Sequence, residues 1–153
     1  MSGKIVIERA TVADAPAIAP LFAAYREFYG KEDGDVDRCG VFLRDRMARG
    51  QSVVFLARRE SDAQVAGFTQ LYPIFTSVGL APVWHLNDLF VVPGHRRAGV
   101  ARALVLHCIA FARQDGAARL TLETQVGNTA ARGLYEKLGF VLGTEFVKYA
   151  VKF

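Results

Sequence analysis

Apolar and polar positions alternate along this 153-residue chain in two rhythms. A period near two marks strands and a period near 3.6 marks helices. Lys4 to Arg9 is short, β-branched and alternating, which predicts a first strand. Thr11-x-x-Asp14 follows as a capping-box-like helix start. Ile18, Leu21, Phe22, Tyr25, Phe28 and Tyr29 then recur at helical spacing up to Gly30. Pro16 suits the first turn of that helix, whereas Pro20 removes an interior hydrogen bond and is expected to kink or split it. After a polar loop from Lys31 to Asp37, the apolar set Cys39, Phe42, Leu43 and Met47 predicts a second short helix ending near Gly50. Ser52 to Arg58 and Val65 to Tyr72 read as a hairpin around the polar turn Glu60 to Gln64.

Ile74 to Pro82 is expected to be a mobile connection, and Trp84 to Val92 the next strand, stopped by Pro93-Gly94. Gly99 to Gln114 is an amphipathic helix whose apolar set, Ala101, Leu104, Val105, Cys108, Ile109, Phe111 and Ala112, is wide enough to cover a sheet face. Leu120 to Val126 predicts a strand, Thr129 to Leu138 a helix closed by Gly139, and Phe140 to Leu142 and Phe146 to Phe153 the last two strands. A strand, a long helix and a strand in succession form a right-handed parallel crossover, with antiparallel hairpins on either side. The expected fold is α/β, a mixed central sheet of about seven strands with helices on both faces, built as a single domain over residues 1–153.

Composition narrows the partners. The chain is 52% hydrophobic and 22% charged, ordinary values for one globular core. Nineteen basic and fifteen acidic side chains give a formal charge of +4, which suits anionic ligands and falls short of a nucleic-acid-binding chain. No nucleic acid is expected as a partner. Cys39 and Cys108 lie far apart in helix-like runs, so neither a disulfide nor a metal site is predicted. No apolar stretch approaches the ~20 residues of a membrane span, and no signal-like segment follows Met1 to Lys4, so a cytoplasmic protein without membrane contact is expected.

The chemistry concentrates at Asn87 to Leu104, NDLFVVPGHRRAGVARAL. Arginines at a helix N-terminus oppose the positive end of the macrodipole unless an anion neutralises them. A phosphate group there resolves the conflict, and the small residues Gly99 and Ala101 let it approach the backbone. The spacing is neither GxxxxGK[ST] nor GxGxxG, so nucleotide-hydrolase and dinucleotide-binding readings are unsupported. A second block, Asn128 to Phe140, reads NTAARGLYEKLGF. Asn128 caps its helix, Ala131, Leu134 and Leu138 pack, and Tyr135 places a hydroxyl on that face that needs a partner.

The run Arg96-Arg97-Ala98-Gly99-Val100-Ala101 resembles the [QR]xxGx[GA] signature of the GNAT family of acetyl-CoA-dependent N-acetyltransferases. Asn-x-x-Ala-x-x-Leu-Tyr-x-x-x-Gly-Phe, one strand downstream, resembles that family's second block, and the likeness extends over essentially the whole chain. The LNDLFV strand and the closing FVKY segment are similar to its polyamine and histone acetyltransferase branch. The resemblance implies acetyl transfer to a primary amine, on a polyamine, another small molecule or a protein lysine, by direct attack in a ternary complex. It implies that Leu89, Phe90, Val91 and Val92 pair with the pantetheine arm of acetyl-CoA, that Arg96, Arg97, Ala98, Gly99, Val100, Ala101 and Arg102 hold its pyrophosphate, and that Asn128, Ala131 and Tyr135 complete the cofactor site. Tyr135 matches the tyrosine that protonates the departing sulfur.

The base is less direct. That branch commonly carries a glutamate where Asn87 stands and an acidic residue where Asp88 stands, so Asp88 is the first candidate and Glu123 the second. An amide cannot take the proton, although Asn87 can position a water. Strand geometry puts Asn87 and Asp88 on opposite faces, so at most one is expected to face the acyl group. Tyr25, Glu27, Tyr29, Tyr72 and Phe75 are the candidate acceptor wall. The competing reading is a non-catalytic acyl-CoA-binding or sensing protein. A homodimer paired through Phe146 to Phe153 is a further expectation.

Overall fold

The computed structural model describes residues 3–96 and 98–153. They form two compact units, Met1–Glu123 and Thr124–Phe153. The first unit runs β1 (Ile5–Arg9), a 3-10 turn (Val12–Asp14), α1 (Ala15–Phe28), α2 (Val36–Ala48), β2 (Val53–Arg59), β3 (Val65–Thr76), β4 (Ala81–Val91), a second 3-10 turn (Pro93–His95), α3 (Val100–Gln114) and β5 (Arg119–Leu122). Its strands lie in the order β1-β2-β3-β4-β5. The first four pair antiparallel, and β5 joins β4 in parallel after the α3 crossover. This is the mixed α/β sheet that the pattern predicts.

Strand alternation sorts the side chains onto two faces. Val54 and Leu56 of β2 and Phe68 of β3 pack against Ala15, Ile18, Ala19 and Phe22 of α1 and Cys39 and Leu43 of α2. On the other face, Phe55 and Trp84 meet Phe111 of α3, with ring centroids 5.6 and 5.0 Å away. Gly67 lets α3 begin close to the sheet. A Cβ there would stand 2.8 Å from the Phe90 carbonyl oxygen and 3.4 Å from Val100 Cγ1.

Three expectations are corrected. Pro20 does not split α1, which is one unbroken helix over Ala15–Phe28. The ring removes a single second-turn hydrogen bond, and burial of Ile18, Ala19 and Phe22 holds the helix on both sides of it. Ile74 to Pro82 is not a loose connection. β3 continues to Thr76, β4 starts at Ala81, and Phe75 pairs with Pro82 across the hairpin, so each side keeps a cross-strand partner. Finally, the described residues form a sheet of five strands rather than about seven.

In the second unit, Asn128 caps α4 (Thr129–Lys137), its side chain accepting from the Ala131 amide at 3.1 Å. Gly139 ends the helix at φ +97°. No strand is assigned among residues 140–153, where two were predicted. Apolar alternation favours extended backbone, but a strand also requires a hydrogen-bonded ladder, and the pattern does not supply a partner.

Candidate active site

The register of β3 on β4 shifts once, between Gln70 and Leu71. Gln70 pairs with Asp88 and Leu71 with Leu86, so Asn87 is an extra residue on β4, a β-bulge. Its consequence is a change of parity. Before the bulge, Trp84 lies on the α3 face. After it, Phe90 packs with the cluster on the α1 and α2 face. Asp88 takes the latter side too, and so does Asn87, which keeps the parity of His85. The expectation that Asn87 and Asp88 point to opposite faces is therefore overturned, because it assumed an unbroken period of two.

Both residues line one cleft of about 700 Å³. Asp88 is 3% exposed, and its two carboxylate oxygens accept from the Gln70 side-chain amide at 2.8 Å and the Asn87 side-chain amide at 3.1 Å. Thr69 donates its hydroxyl to the Asp88 carbonyl at 2.8 Å, fixing the backbone beside the bulge. Tyr25 of α1 donates to the Asn87 carbonyl at 3.2 Å. Burial first, and then the Asp88 charge, raise the Tyr25 and Tyr72 phenols well above their ordinary range. Both therefore stay protonated hydrogen-bond donors at neutral pH. Phe22, Val41 and Phe42 supply apolar wall, while Arg26, Asp37, Arg38, Asp45 and Arg46 add charge.

The rest of β4 faces a different task. Its pairing with β5 ends at Leu86↔Leu122, whereas its pairing with β3 continues to Val91. The Val92 amide bonds Ala66 on β3 at 2.8 Å. Antiparallel alternation then turns the N–H and C=O groups of Leu89 and Val91 to the edge away from β3. At the end of that edge the chain turns into α3 through Gly99, which is left-handed at φ 79°, ψ 8°. No side chain among the described residues caps α3, and its first turn leaves the Val100, Ala101 and Arg102 amides without an intrahelical acceptor. A Cβ on Gly99 would have nothing within 4 Å among the described residues, which leave space above these donors. Arg96 turns back onto β4, where its Nε donates to the Val91 carbonyl at 3.1 Å and its guanidinium covers the Phe90 ring.

Of the residues singled out in the sequence, Tyr25, Tyr72, Asn87 and Asp88 meet in the cleft. Glu27, Tyr29 and Phe75 do not line it. Tyr29 is half exposed and packs its ring on Tyr25 at 5.0 Å, and Phe75 stands out from the hairpin at 78% exposure. Helical spacing alone does not show which of several aromatics on one helix faces a cleft. Glu123 follows β5 directly and is not among the cleft residues. Arg97 lies outside the described residues. In the second unit, Asn128 and Ala131 form the α4 cap, and Tyr135 packs edge-on against Phe140 at 5.8 Å. The sequence missed Gln70 and the α2 wall. Asp37, Val41 and Asp45 form one stripe of that helix and Arg38, Phe42 and Arg46 the next, a pattern that otherwise passes for a solvated face.

Comparison with known proteins follows the same outline. The model of the Acetyltransferase (GNAT) family matches residues 17–140. An N-acetyltransferase of Bacillus subtilis (strain 168), YhfO, described as uncharacterized, is 43% identical over 145 residues, covering 95% of each chain. A protein of Haemophilus influenzae described as a probable acetyltransferase is 32% identical over 106 residues, 69% of this chain and 71% of its own. Among solved structures, one described as a probable acetyltransferase superposes with a TM-score of 0.91 at 38% identity, covering 97% of both chains. No helix among the described residues is long and apolar enough to cross a membrane.

Proposed function

Because this chain belongs to the GNAT family, acetyltransferases that use acetyl-CoA to acetylate amines, we propose that the cleft over Asp88 receives a primary amine and that the β4 edge and α3 terminus hold acetyl-CoA. The observation that carries this reading is the bulge at Asn87. It puts a buried carboxylate on one side of β4, just beyond the point where the strand's pairing with β5 ends.

The groups present fit CoA. Three uncapped amides at the positive end of α3, beneath the open space over Gly99, suit a pyrophosphate. The edge groups of Leu89 and the Val91 amide suit an amide-bearing arm laid alongside as an added strand, while Arg96 holds the Val91 carbonyl. When bound, acetyl-CoA supplies the activated acetyl group. The chain's own residues do the rest, in a ternary complex with direct attack by the amine. An alkylammonium of pKa ~10.4 must lose a proton before it attacks, and Asp88 accepts that proton while Gln70 and Asn87 hold the carboxylate in place. The Leu89 amide, turned to the edge away from β3, would donate to the thioester oxygen as negative charge builds there, a role worth about 10²–10³ in rate. By the family likeness alone, Tyr135 would be the proton donor to the departing sulfur. Asn87 steadies Asp88 rather than acting as base. The whole chain serves this one activity.

Calorimetric titration of acetyl-CoA into the wild type, Gly99→Ala and Gly99→Glu tests the cofactor site. Any side chain at φ 79° is strained by about 1–2 kcal/mol, so both variants lose some stability. Only Gly99→Glu places an anion over the helix amides, so it alone is expected to abolish binding. Equal affinity in all three would overturn the site. Tight binding by the wild type without acetylation of any amine would favour the acyl-CoA-sensing alternative.

A further inference from the structure

The cleft is asymmetric in charge, and that asymmetry bears on the acceptor. Arg26 is committed to Asp33 through two hydrogen bonds of 2.8 Å, and Arg38 is 76% exposed near Asp35. Asp37 is exposed at the rim, and Asp45 lies 3.5 Å from Arg44 Nε. Two cleft charges remain. One is the Asp88 carboxylate, buried and oriented by its two amide donors. The other is Arg46. Its Nε bonds the Gln51 side chain at 2.7 Å and its guanidinium covers the Phe42 ring at 5.0 Å. This fixes the plane of the group, and among the described residues its two terminal amino groups have no protein acceptor. Arg46 also acts on the Tyr72 phenol, lowering it against the raising effects of burial and Asp88, so both charges bear on the same ring.

A polyamine reaching into this cleft meets an anion and then a cation. A second ammonium would be repelled by Arg46 and would leave its donors unused. An acceptor with the opposite pair of charges uses both ends. Resting on the acetyl-transfer reading above, we infer that the acceptor is an amino acid, its amine directed to Asp88 and its carboxylate to the terminal amino groups of Arg46. The fork geometry of a guanidinium suits a carboxylate through two parallel hydrogen bonds. Phe22, Val41 and Phe42 offer apolar wall for the side chain.

The test is steady-state acetylation of amino acids, their amides and 1,4-diaminobutane by the wild type, Arg46→Gln and Arg46→Lys. The wild type is expected to prefer acids over their amides and over the diamine. Arg46→Gln is expected to lower the acid-to-amide ratio of kcat/KM by about 10- to 100-fold, through KM, as a charge-assisted pair is lost. Arg46→Lys, which keeps the charge without the fork, is expected to fall between. Preference for the diamine by the wild type, or a ratio unmoved by Arg46→Gln, overturns the amino-acid inference and leaves acetyl transfer standing. Failure to acetylate any amine, with acetyl-CoA bound, overturns the catalytic reading and this inference with it.

Discussion

Replacing Asp88 by asparagine separates the chemistry of the cleft from its stability. The native carboxylate accepts from Gln70 Nε2 and Asn87 Nδ2, and it is 3% exposed. The new amide keeps one oxygen and turns the other into a donor that would face the Gln70 amide nitrogen. Gln70 can relieve this by rotating its own amide, because its Oε1 is buried without a hydrogen-bond partner. The rotated pair regains one neutral bond. Hydrogen bonds to a charged group contribute about 1.5–3 kcal/mol and neutral ones about 0.5–1.5, and the buried charge no longer has to be desolvated. The net cost of Asp88→Asn is then about 1–2 kcal/mol, or roughly 3–6 °C in Tm for a chain of this size. Loss of a general base instead lowers kcat by about 10²–10⁴-fold. Thiol release from acetyl-CoA at saturating amine measures the second quantity, and calorimetry the first. Retention of more than about a tenth of kcat would refute Asp88 as proton acceptor. A fall in Tm beyond about 15 °C would show that its carboxylate is chiefly structural.

Two further outcomes follow from local geometry. Gly67→Ala puts a Cβ 2.8 Å from the Phe90 carbonyl, a backbone atom that cannot swing aside. Overpacking of this kind is expected to cost about 1–3 kcal/mol in chemical denaturation and, by moving β4 and the start of α3, to raise KM for acetyl-CoA. A stability within error of wild type would mean that the two strands separate freely there. Burial pushes the Cys108 thiol up to about 12 from its ordinary 9.0. The folded state therefore holds this proton where the unfolded chain releases it. Its contribution is complete below about pH 9 and is lost as pH climbs toward 12. Denaturation midpoints are expected to fall over that window in the wild type and less so in Cys108→Ala, and rapid alkylation of native Cys108 at pH 8 would contradict the burial.

The fold was legible because most of its signals are local. The β-branched runs at β1 and β2, the helical spacing of Ile18 and Phe22, and the Gly and Asn caps of α3 and α4 need no distant partner to be read. The strand-helix-strand succession then implied the parallel β4–β5 pair. Less legible was anything set by pairing. Ile74 to Pro82 reads as a loose connection because its residues do not reveal by themselves that they pair across a hairpin. Phe140 to Leu142 and Phe146 to Phe153 read as strands because alternation carries no information about a partner. Within the site, the sequence points to Asn87, Asp88, Tyr25 and Tyr72 but not to Gln70, Phe42 or Arg46. Each of those owes its role to a residue at least 18 positions away or to a helix face whose charges resemble a solvated one.

By itself, the sequence determined the family, the order of elements and the place of the helix terminus, since motif spacing and capping chemistry act over a few residues. Tertiary structure decided which face Asp88 occupies. That depends on one extra residue in β4 relative to β3, and an extra residue is defined only once two strands are aligned. The same alignment turns Asp88 toward α1 and toward α2, whose Arg46 lines the cleft, and brings Gln70 within 2.8 Å of it.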